Sequence, residues 1–177
     1  MAKPRKIKKV APGQPITQSA ERILRTRLKE FYSHWAEPAD EPTPEQLHNL
    51  RISGKRLRYS AEQLRELYPD RLALLIDLLK RSQDLLGEIQ DCVTQRALFA
   101  AEKTRLEKRS ASKDEQTLLV KILGDYEQRQ ALLFVQFREI WQGMTLPEFR
   151  TSLKAMVTSP TITRKPKNDE PQQASPT

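Results

Sequence analysis

The stretch from Thr43 to Tyr68, TPEQLHNLRISGKRLRYSAEQLRELY, constrains the fold most, because it carries two different faces at helical spacing. Thr43 and Gln46 form a capping-box pair around a proline at the first helical position, which is a strong start signal for a helix. Pro69 supplies the stop signal. At about 100° per residue the apolar side chains share one sector that must be buried: Leu50, Leu57, Ala61, Leu64, Leu67 and Tyr68. The stretch therefore predicts one amphipathic helix.

A second face of this helix carries what we call the basic row, which consists of His48, Arg51, Lys55 and Arg58. Steps of three and four residues place successive members about one turn apart, so the row extends roughly 15 Å at about 1.5 Å per residue. Like charges at this spacing repel one another, and a multivalent anion between them would remove that cost. The row has one acid close by, Glu62. An ordinary solvated charged face is the alternative interpretation.

Helical periodicity continues along most of the chain and leaves no room for a sheet. Further helices are predicted over Thr17–Glu37, from Asp70 or Arg71 to about Lys108, and from the turn at Ser110–Lys113 to about Gln142, where Gly143 ends the helix. Thr145 and Glu148 form a second candidate capping box, which opens a short helix that continues through Val157. The predicted fold class is all-α, a four-helix antiparallel bundle with long helices and a short C-terminal helix.

The third predicted helix carries Lys80, Asp84, Gly87 and Asp91 on one side, and an apolar side from Leu72 to Ala97 that should be buried. Glycine in a helix interior costs about 1 kcal/mol relative to alanine, so Gly87 predicts close approach by a neighbouring helix or a ligand. Such approach would bring Lys80 near the basic row. We expect at least one of the two aspartates to accept hydrogen bonds from Arg or Lys on the second helix.

The fourth predicted helix carries an aromatic-rich stripe that includes Tyr126, Phe137 and Trp141. The stripe keeps helical phase along its whole length, so it is interpreted as core and not as a platform for stacking ligands.

Charge is distributed unevenly along the 177 residues. Of the net charge of +8, residues 1–15 contribute +5 and residues 158–177 contribute +1, which leaves +2 for the middle of the chain. Residues 1–15 and 158–177 are therefore predicted to be disordered tails, and residues 16–157 the helical bundle. A basic arm can add nonspecific affinity for any polyanion, but a binding site on the bundle has to come from local clustering.

The single cysteine, Cys92, excludes an intramolecular disulfide and a cysteine-based zinc site. No run approaches 18 uninterrupted apolar residues, so export and membrane spanning are not expected. A reducing cytoplasm is the predicted location.

The strings LHNLRISGKRLRY and LLKRSQDLLGEIQD resemble the CHAD family, the conserved-histidine α-helical domain, and look most like the second of its two repeats. The resemblance covers about Ile16 to Met144, one repeat's worth of chain, whereas a complete domain has roughly twice that length. It implies an all-helical fold that binds inorganic polyphosphate through a basic surface. The positions that match the family pattern are His48, Arg51, Lys55, Arg56, Arg58, Lys80, Gly87 and Asp91. If two repeats build one surface, a single repeat is expected to recover it as a homodimer about a two-fold axis.

The resulting prediction is non-catalytic binding of inorganic polyphosphate by His48, Arg51, Lys55, Arg56, Arg58 and Lys80, with no cofactor and no metal. Whether His48 contacts the ligand or is structural stays open, as does the role of Arg56, which lies on a different face.

The alternative is a nucleic-acid binder that uses the same helix and the N-terminal arm. An enzyme, such as a phosphohydrolase or polyphosphate kinase, is disfavoured because the chain has two histidines, no glycine-rich phosphate loop and no compact carboxylate cluster. Polyphosphate binding would associate the protein with polyphosphate granules.

Overall fold

The computed structural model describes residues 3–8, 10–34, 42–68, 72–109 and 112–158. Five α-helices follow one another: α1 (Ile16–Tyr32), α2 (Pro44–Gln63), α3 (Ala73–Lys108), α4 (Lys113–Thr145) and α5 (Pro147–Val157), with a 3-10 turn at Arg65–Leu67 after α2. The described residues contain no strand, which confirms the all-α prediction. Three predicted features lie outside the described residues: residues 159–177 of the C-terminal tail, residues 35–37 at the end of the first predicted helix, and the stop at Pro69.

Consecutive helices pack as neighbours, α1 on α2, α2 on α3 and α3 on α4, while α5 contacts both α1 and α4. Leu24, Leu57, Leu79 and Trp141, one from each long helix, are at most 1 % exposed and mark the centre of the core. Burying side chains of this size contributes about 1.5–3 kcal/mol each, which outweighs weak local preferences. The four-helix bundle is thereby confirmed, with α5 closing the end where α1 meets α4.

Aromatic contacts tie α1 to α4. The Phe31 ring meets the Trp141 ring edge-on, with centroids 5.3 Å apart, and the Tyr32 hydroxyl donates to the Met144 carbonyl at 2.9 Å. The Tyr68 hydroxyl donates to the Val157 carbonyl at 3.0 Å and so anchors α5. The interpretation of the α4 aromatic stripe as core is confirmed at Phe137 and Trp141, which are both buried.

The α3–α4 hairpin extends beyond the bundle, because α3 has 36 residues and α2 has 20. At about 1.5 Å per residue these lengths are roughly 54 and 30 Å. Buried residues of α3 end at Cys92, and Ala97, predicted to be buried, is exposed. Beyond Cys92 the pair is held by half-buried contacts such as the stacked rings of Phe99 and Tyr126. The prediction that the apolar side of this helix is buried as far as Ala97 was therefore wrong beyond Cys92.

Helix boundaries test the predicted start and stop signals. The capping box at Thr43 is present, since Thr43 Oγ1 accepts from Gln46 N at 3.2 Å and Gln46 Oε1 accepts from Thr43 N at 2.7 Å. The second predicted box is not, because Thr145 belongs to α4 and its hydroxyl donates to the carbonyls of Trp141 and Gln142. Helix α4 therefore passes through Gly143, which lacks the positive φ typical of a glycine helix end.

Candidate anion-binding surface

The basic row lies on α2 beside α3, and all four of its members are half-buried. The Thr43 capping box starts the helix one turn before His48 and so sets the phase of everything that follows. Because α2 packs on α1 and α3 together, its apolar sector is covered from two sides and the row is left along one margin of the α2–α3 contact.

Arg58 is held in a fixed orientation at one end of the row. Its Nε donates to Gln83 Oε1 of α3 at 3.0 Å, and its Nη1 donates to Glu62 Oε1 at 2.8 Å. The guanidinium also lies over the Tyr59 ring, 4.6 Å from the centroid. These partners restrict the rotamers of a side chain that would otherwise lose considerable entropy on binding a ligand.

Gly54 lies close against Phe31 of α1. A Cβ at Gly54 would lie 3.8 Å from Gln83 Nε2 and only 3.2 Å from Cε2 of Phe31, a ring that is 2 % exposed. The close approach that the sequence predicted at Gly87 therefore occurs at Gly54. No described atom lies within 4 Å of a Cβ built on Gly87, so the prediction of close helix packing there was wrong.

The other end of the row opens into a cleft of about 190 Å³. His48 and Arg51 line it together with Gln90 of α3 and Gln130 of α4. Arg51 Nε is buried and has no hydrogen-bond partner among the described residues. Since a buried donor without a partner costs about 1–3 kcal/mol, this guanidinium is suited to an incoming acceptor.

Two contacts set the register of α2 against α3: Arg58 is bonded to Gln83, and Arg51 shares a cleft with Gln90. Because the helices run antiparallel, this register places Lys55 level with Leu86, the residue before Gly87, and a Cβ built on Gly87 would meet open space. Lys80 is exposed on α3 one turn before Gln83, beyond the Arg58 end of the row. The structure thus groups His48, Arg51, Lys55 and Arg58, with Lys80 at the margin.

Asp84 and Asp91 do not support the row. Both side chains are exposed. In the part of the chain that the structure describes, neither of them forms an ion pair or accepts a hydrogen bond. The prediction that one of them holds a cation of α2 was wrong, because Gln83 is the residue turned toward α2 and the next position lies about 100° away. Gln83 and Glu62 hold Arg58 instead.

Arg56 points away from the row toward α1. Its Nη1 donates to Glu30 Oε1 at 2.6 Å, and Arg27 Nη1 donates to Glu30 Oε2 at 2.7 Å. We call Arg27, Glu30 and Arg56 the ion-pair cluster. The Glu30 side chain is 2 % exposed and also accepts from the backbone N–H of Arg5 at 3.3 Å. The structure therefore does not bring Arg56 into the basic row.

Glu30 in this cluster and His34 near it have shifted pKa values. Burial acts to raise the pKa of Glu30, but the hydrogen bonds from Arg56, Arg27 and the Arg5 backbone together outweigh it and hold the pKa below its ordinary value. Burial lowers the pKa of His34, and the nearby Arg5 and Arg56 lower it further against the opposing effect of Glu30. The cluster thus favours an ionised glutamate beside a neutral histidine.

Sequence reasoning missed the supporting residues Gln83, Gly54 and Gln90. Only Gly54 carried a signal, since a glycine inside a strongly periodic helix indicates close approach. The two glutamines have no such mark, because a polar residue on α3 can face solvent or a neighbouring helix with the same spacing.

The described residues include no group of three or more His, Cys, Asp or Glu side chains placed to hold a metal ion. Within the same residues, no helix combines the length and apolar character needed to cross a bilayer.

Comparison with known proteins identifies one relationship. The model of the CHAD domain matches residues 2–100, which includes α1, α2 and most of α3, and leaves α4 and α5 outside the match. Neither the curated proteins nor the solved structures contain a significant match. Since the matched region spans more than half of the sequence and contains the whole basic row, the chain belongs to the CHAD domain family.

Proposed function

We propose that this protein binds inorganic polyphosphate, without catalysis, along the basic row of α2. The observation that carries the proposal is the state of Arg51 and Lys55. They follow one another at one-turn spacing, are half-buried beside α3 and have no acidic partner among the described residues. Positive charges that the protein leaves uncompensated along a line suit a linear, repeating anion.

The side chains of the row supply complementary contacts. Arginine offers a planar fork of N–H groups that matches phosphate oxygens, and lysine offers a compact charge that tolerates several geometries. Arg58 is pre-oriented by Gln83, so it loses little additional freedom when a phosphate binds. His48 lies at the open cleft with Arg51 and can donate a hydrogen bond there.

Glu62 opposes binding, because it already neutralises part of the Arg58 charge. Its side chain is 33 % exposed, and a pair one helical turn apart at that exposure contributes only about 0.3–0.5 kcal/mol. A polyphosphate chain that contacts several cations together exceeds this competing contribution.

The alternative proposal, a nucleic-acid binder, uses the same charges differently. Reading base edges requires side chains with both donors and acceptors, and the row contains Arg, Lys and His without Asn or Gln in phase. Binding to the phosphate backbone alone is the form of nucleic-acid binding that the row allows. It should not favour DNA or RNA over polyphosphate at equal phosphate concentration.

The test is filter binding of labelled polyphosphate at near-physiological salt, with duplex DNA and RNA as competitors. We expect the triple variant Arg51→Gln, Lys55→Gln, Arg58→Gln to bind at least about 100-fold more weakly, since hydrogen bonds to charged groups contribute roughly 1.5–3 kcal/mol each. Its salt dependence should also be flatter, by analogy with DNA. Unchanged affinity in the triple variant, or displacement by DNA at equal phosphate, would refute specific polyphosphate binding.

The matched control is Lys108→Gln, Lys113→Gln, Lys121→Gln, which removes the same charge from exposed positions on the α3–α4 hairpin. This control should bind polyphosphate as tightly as the wild type if the position of the cations determines affinity. It should bind as weakly as the triple variant if only the net charge of the protein does. Circular dichroism of both variants checks that the bundle persists.

Two further parts of the proposal have separate tests. Release of phosphate from polyphosphate by the pure protein with Mg²⁺ or Mn²⁺ would contradict the non-catalytic assignment.

A homodimer that joins two basic rows predicts tighter binding of long polyphosphate chains than of short ones. A monomer by light scattering at micromolar concentration, with affinity independent of chain length, would contradict the dimer and leave binding by the single row intact.

A further inference from the structure

A cleft of about 420 Å³ lies between α1 and α5, away from the α2–α3 contact that carries the basic row. Leu28 and Tyr32 of α1 and Leu153 of α5 form its apolar floor. Clefts of about 300–1,000 Å³ with mostly apolar walls are the usual sites for small molecules. Its size and lining therefore suit a compact ligand and not an extended polymer.

The floor is fixed in position. Tyr32 donates its hydroxyl to the Met144 carbonyl, and its ring packs against Phe31 with centroids 5.4 Å apart. Leu28 and Leu153 are 7 % and 5 % exposed. Burial raises the pKa of Tyr32 to about 12, so the phenol stays neutral and adds no negative charge to the cleft.

The rim of this cleft is cationic on every element that forms it. Its charged side chains are Arg5 from the N-terminal segment, Arg25 and Lys29 from α1, and Arg150 and Lys154 from α5. Of these five, Arg25 alone has an acidic partner in the part of the chain that the structure describes, Glu21 at 2.9 Å.

Two of the rim arginines are positioned by the fold. The Arg150 guanidinium lies over the Tyr32 ring, 4.9 Å from the centroid, and this contact restricts its orientation. The backbone of Arg5 is held at both ends, because its N–H donates to Glu30 and its carbonyl accepts from Arg27, each at 3.3 Å. The ion-pair cluster thus holds the N-terminal segment at the cleft.

Neither ligand considered for the basic row fits this combination. Polyphosphate has no apolar part to cover the leucines, and the face of Tyr32 that a nucleobase would stack on is occupied by Arg150. An uncharged apolar molecule would leave the cations without partners. The complementary ligand carries one anionic group on an apolar body.

We propose that the α1–α5 cleft binds a small amphiphilic anion, an alkyl chain ending in a carboxylate or phosphate, with the chain against Leu28, Tyr32 and Leu153 and the head group between Lys29, Arg150 and Lys154. The site is separate from the basic row, so both ligands bind together.

Isothermal titration calorimetry of the full chain with monomeric decanoate and decyl phosphate tests the proposal. Both should bind, and the tighter of the two identifies the head group. Decanol and acetate, which lack the charge and the apolar body respectively, should each bind at least about tenfold more weakly. Saturating polyphosphate should leave the decanoate affinity unchanged.

The variant Arg150→Gln, Lys154→Gln changes two exposed side chains and should weaken decanoate binding roughly tenfold or more while polyphosphate binding stays the same. Lys113→Gln, Lys121→Gln is the matched control on α4 and should change neither. If the α5 variant loses helix by circular dichroism, Lys29→Gln provides the same test from the opposite wall of the cleft.

Equal binding of decanoate and decanol, an unchanged affinity in both rim variants, or displacement of decanoate by polyphosphate would overturn the proposal. Binding to anionic vesicles without binding of monomeric decanoate would overturn it too, because it would identify the rim as a membrane-surface patch. These outcomes leave polyphosphate binding by the basic row unaffected.

Discussion

The two sides of α2 use the same residue type for opposite purposes. Arg56 and Arg58 are two positions apart, yet Arg56 is paired with a carboxylate that is 2 % exposed, and Arg58 is held by the amide of Gln83 and by a half-exposed glutamate. Toward α1 the cationic charge is compensated inside the bundle. Toward α3 the charge of Arg58 is oriented by Gln83 and partly neutralised by Glu62, while Arg51 and Lys55 have no acidic partner among the described residues, which is the arrangement that a ligand site requires.

This difference shows why counting basic residues in a motif overestimates a binding site. Both arginines lie in the string through which the sequence resembles the family, but a buried glutamate on a neighbouring helix decides which of them stabilises the fold. Four predictions test this contrast.

The largest effect is expected for Glu30→Gln, which removes the carboxylate of the ion-pair cluster. Arg27 and Arg56 are 16 % and 23 % exposed, so water compensates part of the loss, and we expect unfolding to become easier by about 2–3 kcal/mol. Urea denaturation measures the change. Polyphosphate affinity of the folded variant should not change, and a loss of affinity comparable to that of the triple variant would contradict the division between the two sides.

The same variant has a pH signature. Because the pKa of Glu30 is lowered in the folded state, its contribution is fully present above its ordinary pKa of 4.5 and is lost as the pH falls through the lower folded value. The stability difference between wild type and Glu30→Gln should therefore shrink below about pH 4.5. A difference that grows on acidification would contradict the assigned sign.

The second prediction compares Arg56→Gln with Arg58→Gln. Arg58→Gln should weaken polyphosphate binding roughly tenfold or more, since it removes one charge-assisted contact, and should change stability by less than about 1 kcal/mol. Arg56→Gln should lower stability by roughly 1–2 kcal/mol with affinity unchanged to within about twofold. Titration of each variant with polyphosphate measures the affinity, and urea denaturation of each variant measures the stability. Equal loss of affinity in both variants would return Arg56 to the binding surface.

The third prediction concerns the two glycines beside the row. Gly87→Ala should stabilise the protein by about 0.5–1 kcal/mol, because the new methyl group meets open space and alanine is the better helix former. Gly54→Ala should destabilise it by roughly 1–2 kcal/mol, because the Phe31 ring is packed against Trp141 and cannot retreat from a Cβ at 3.2 Å. Thermal unfolding measures both. The same sign for both glycines would contradict the packing described here.

The smallest effect is expected for Glu62→Gln. Removing the carboxylate frees the Arg58 charge for the ligand, and we expect polyphosphate affinity to rise about two- to threefold, in line with about 0.5 kcal/mol for such a pair. Glu107→Gln, which breaks a similar pair with Lys103 on the α3–α4 hairpin, is the control and should have no effect. A weaker complex in Glu62→Gln would mean that the glutamate serves mainly to orient Arg58.

Sequence reasoning succeeded where the signal is local. The capping box at Thr43, the apolar phase of α2 and the burial of Phe137 and Trp141 each follow from periodicity within one helix. It failed at the second capping box, because a threonine hydroxyl can bond to the preceding turn as easily as it can cap the next helix.

Residues of α3 were misassigned for a related reason. Periodicity identifies residues that share a face, but not how far a neighbouring helix extends along that face. Ala97 is exposed because α2 is shorter than α3. No described atom lies within 4 Å of a Cβ built on Gly87, whereas Phe31 of α1 lies 3.2 Å from a Cβ built on Gly54.

The amino-acid sequence alone determined that this chain forms long amphipathic helices and that α2 carries a one-turn ladder of cations, because both depend on residue spacing along a single helix. Only the tertiary structure decided which cations stay uncompensated. Glu30 meets Arg56, and Gln83 meets Arg58, across contacts between helices that are remote in sequence. The cleft between α1 and α5 likewise joins distant parts of the chain. The difference follows from burial. A buried carboxylate must be paired, because it has lost its hydration, whereas a cation at the margin of the bundle stays hydrated and is available to bind a ligand.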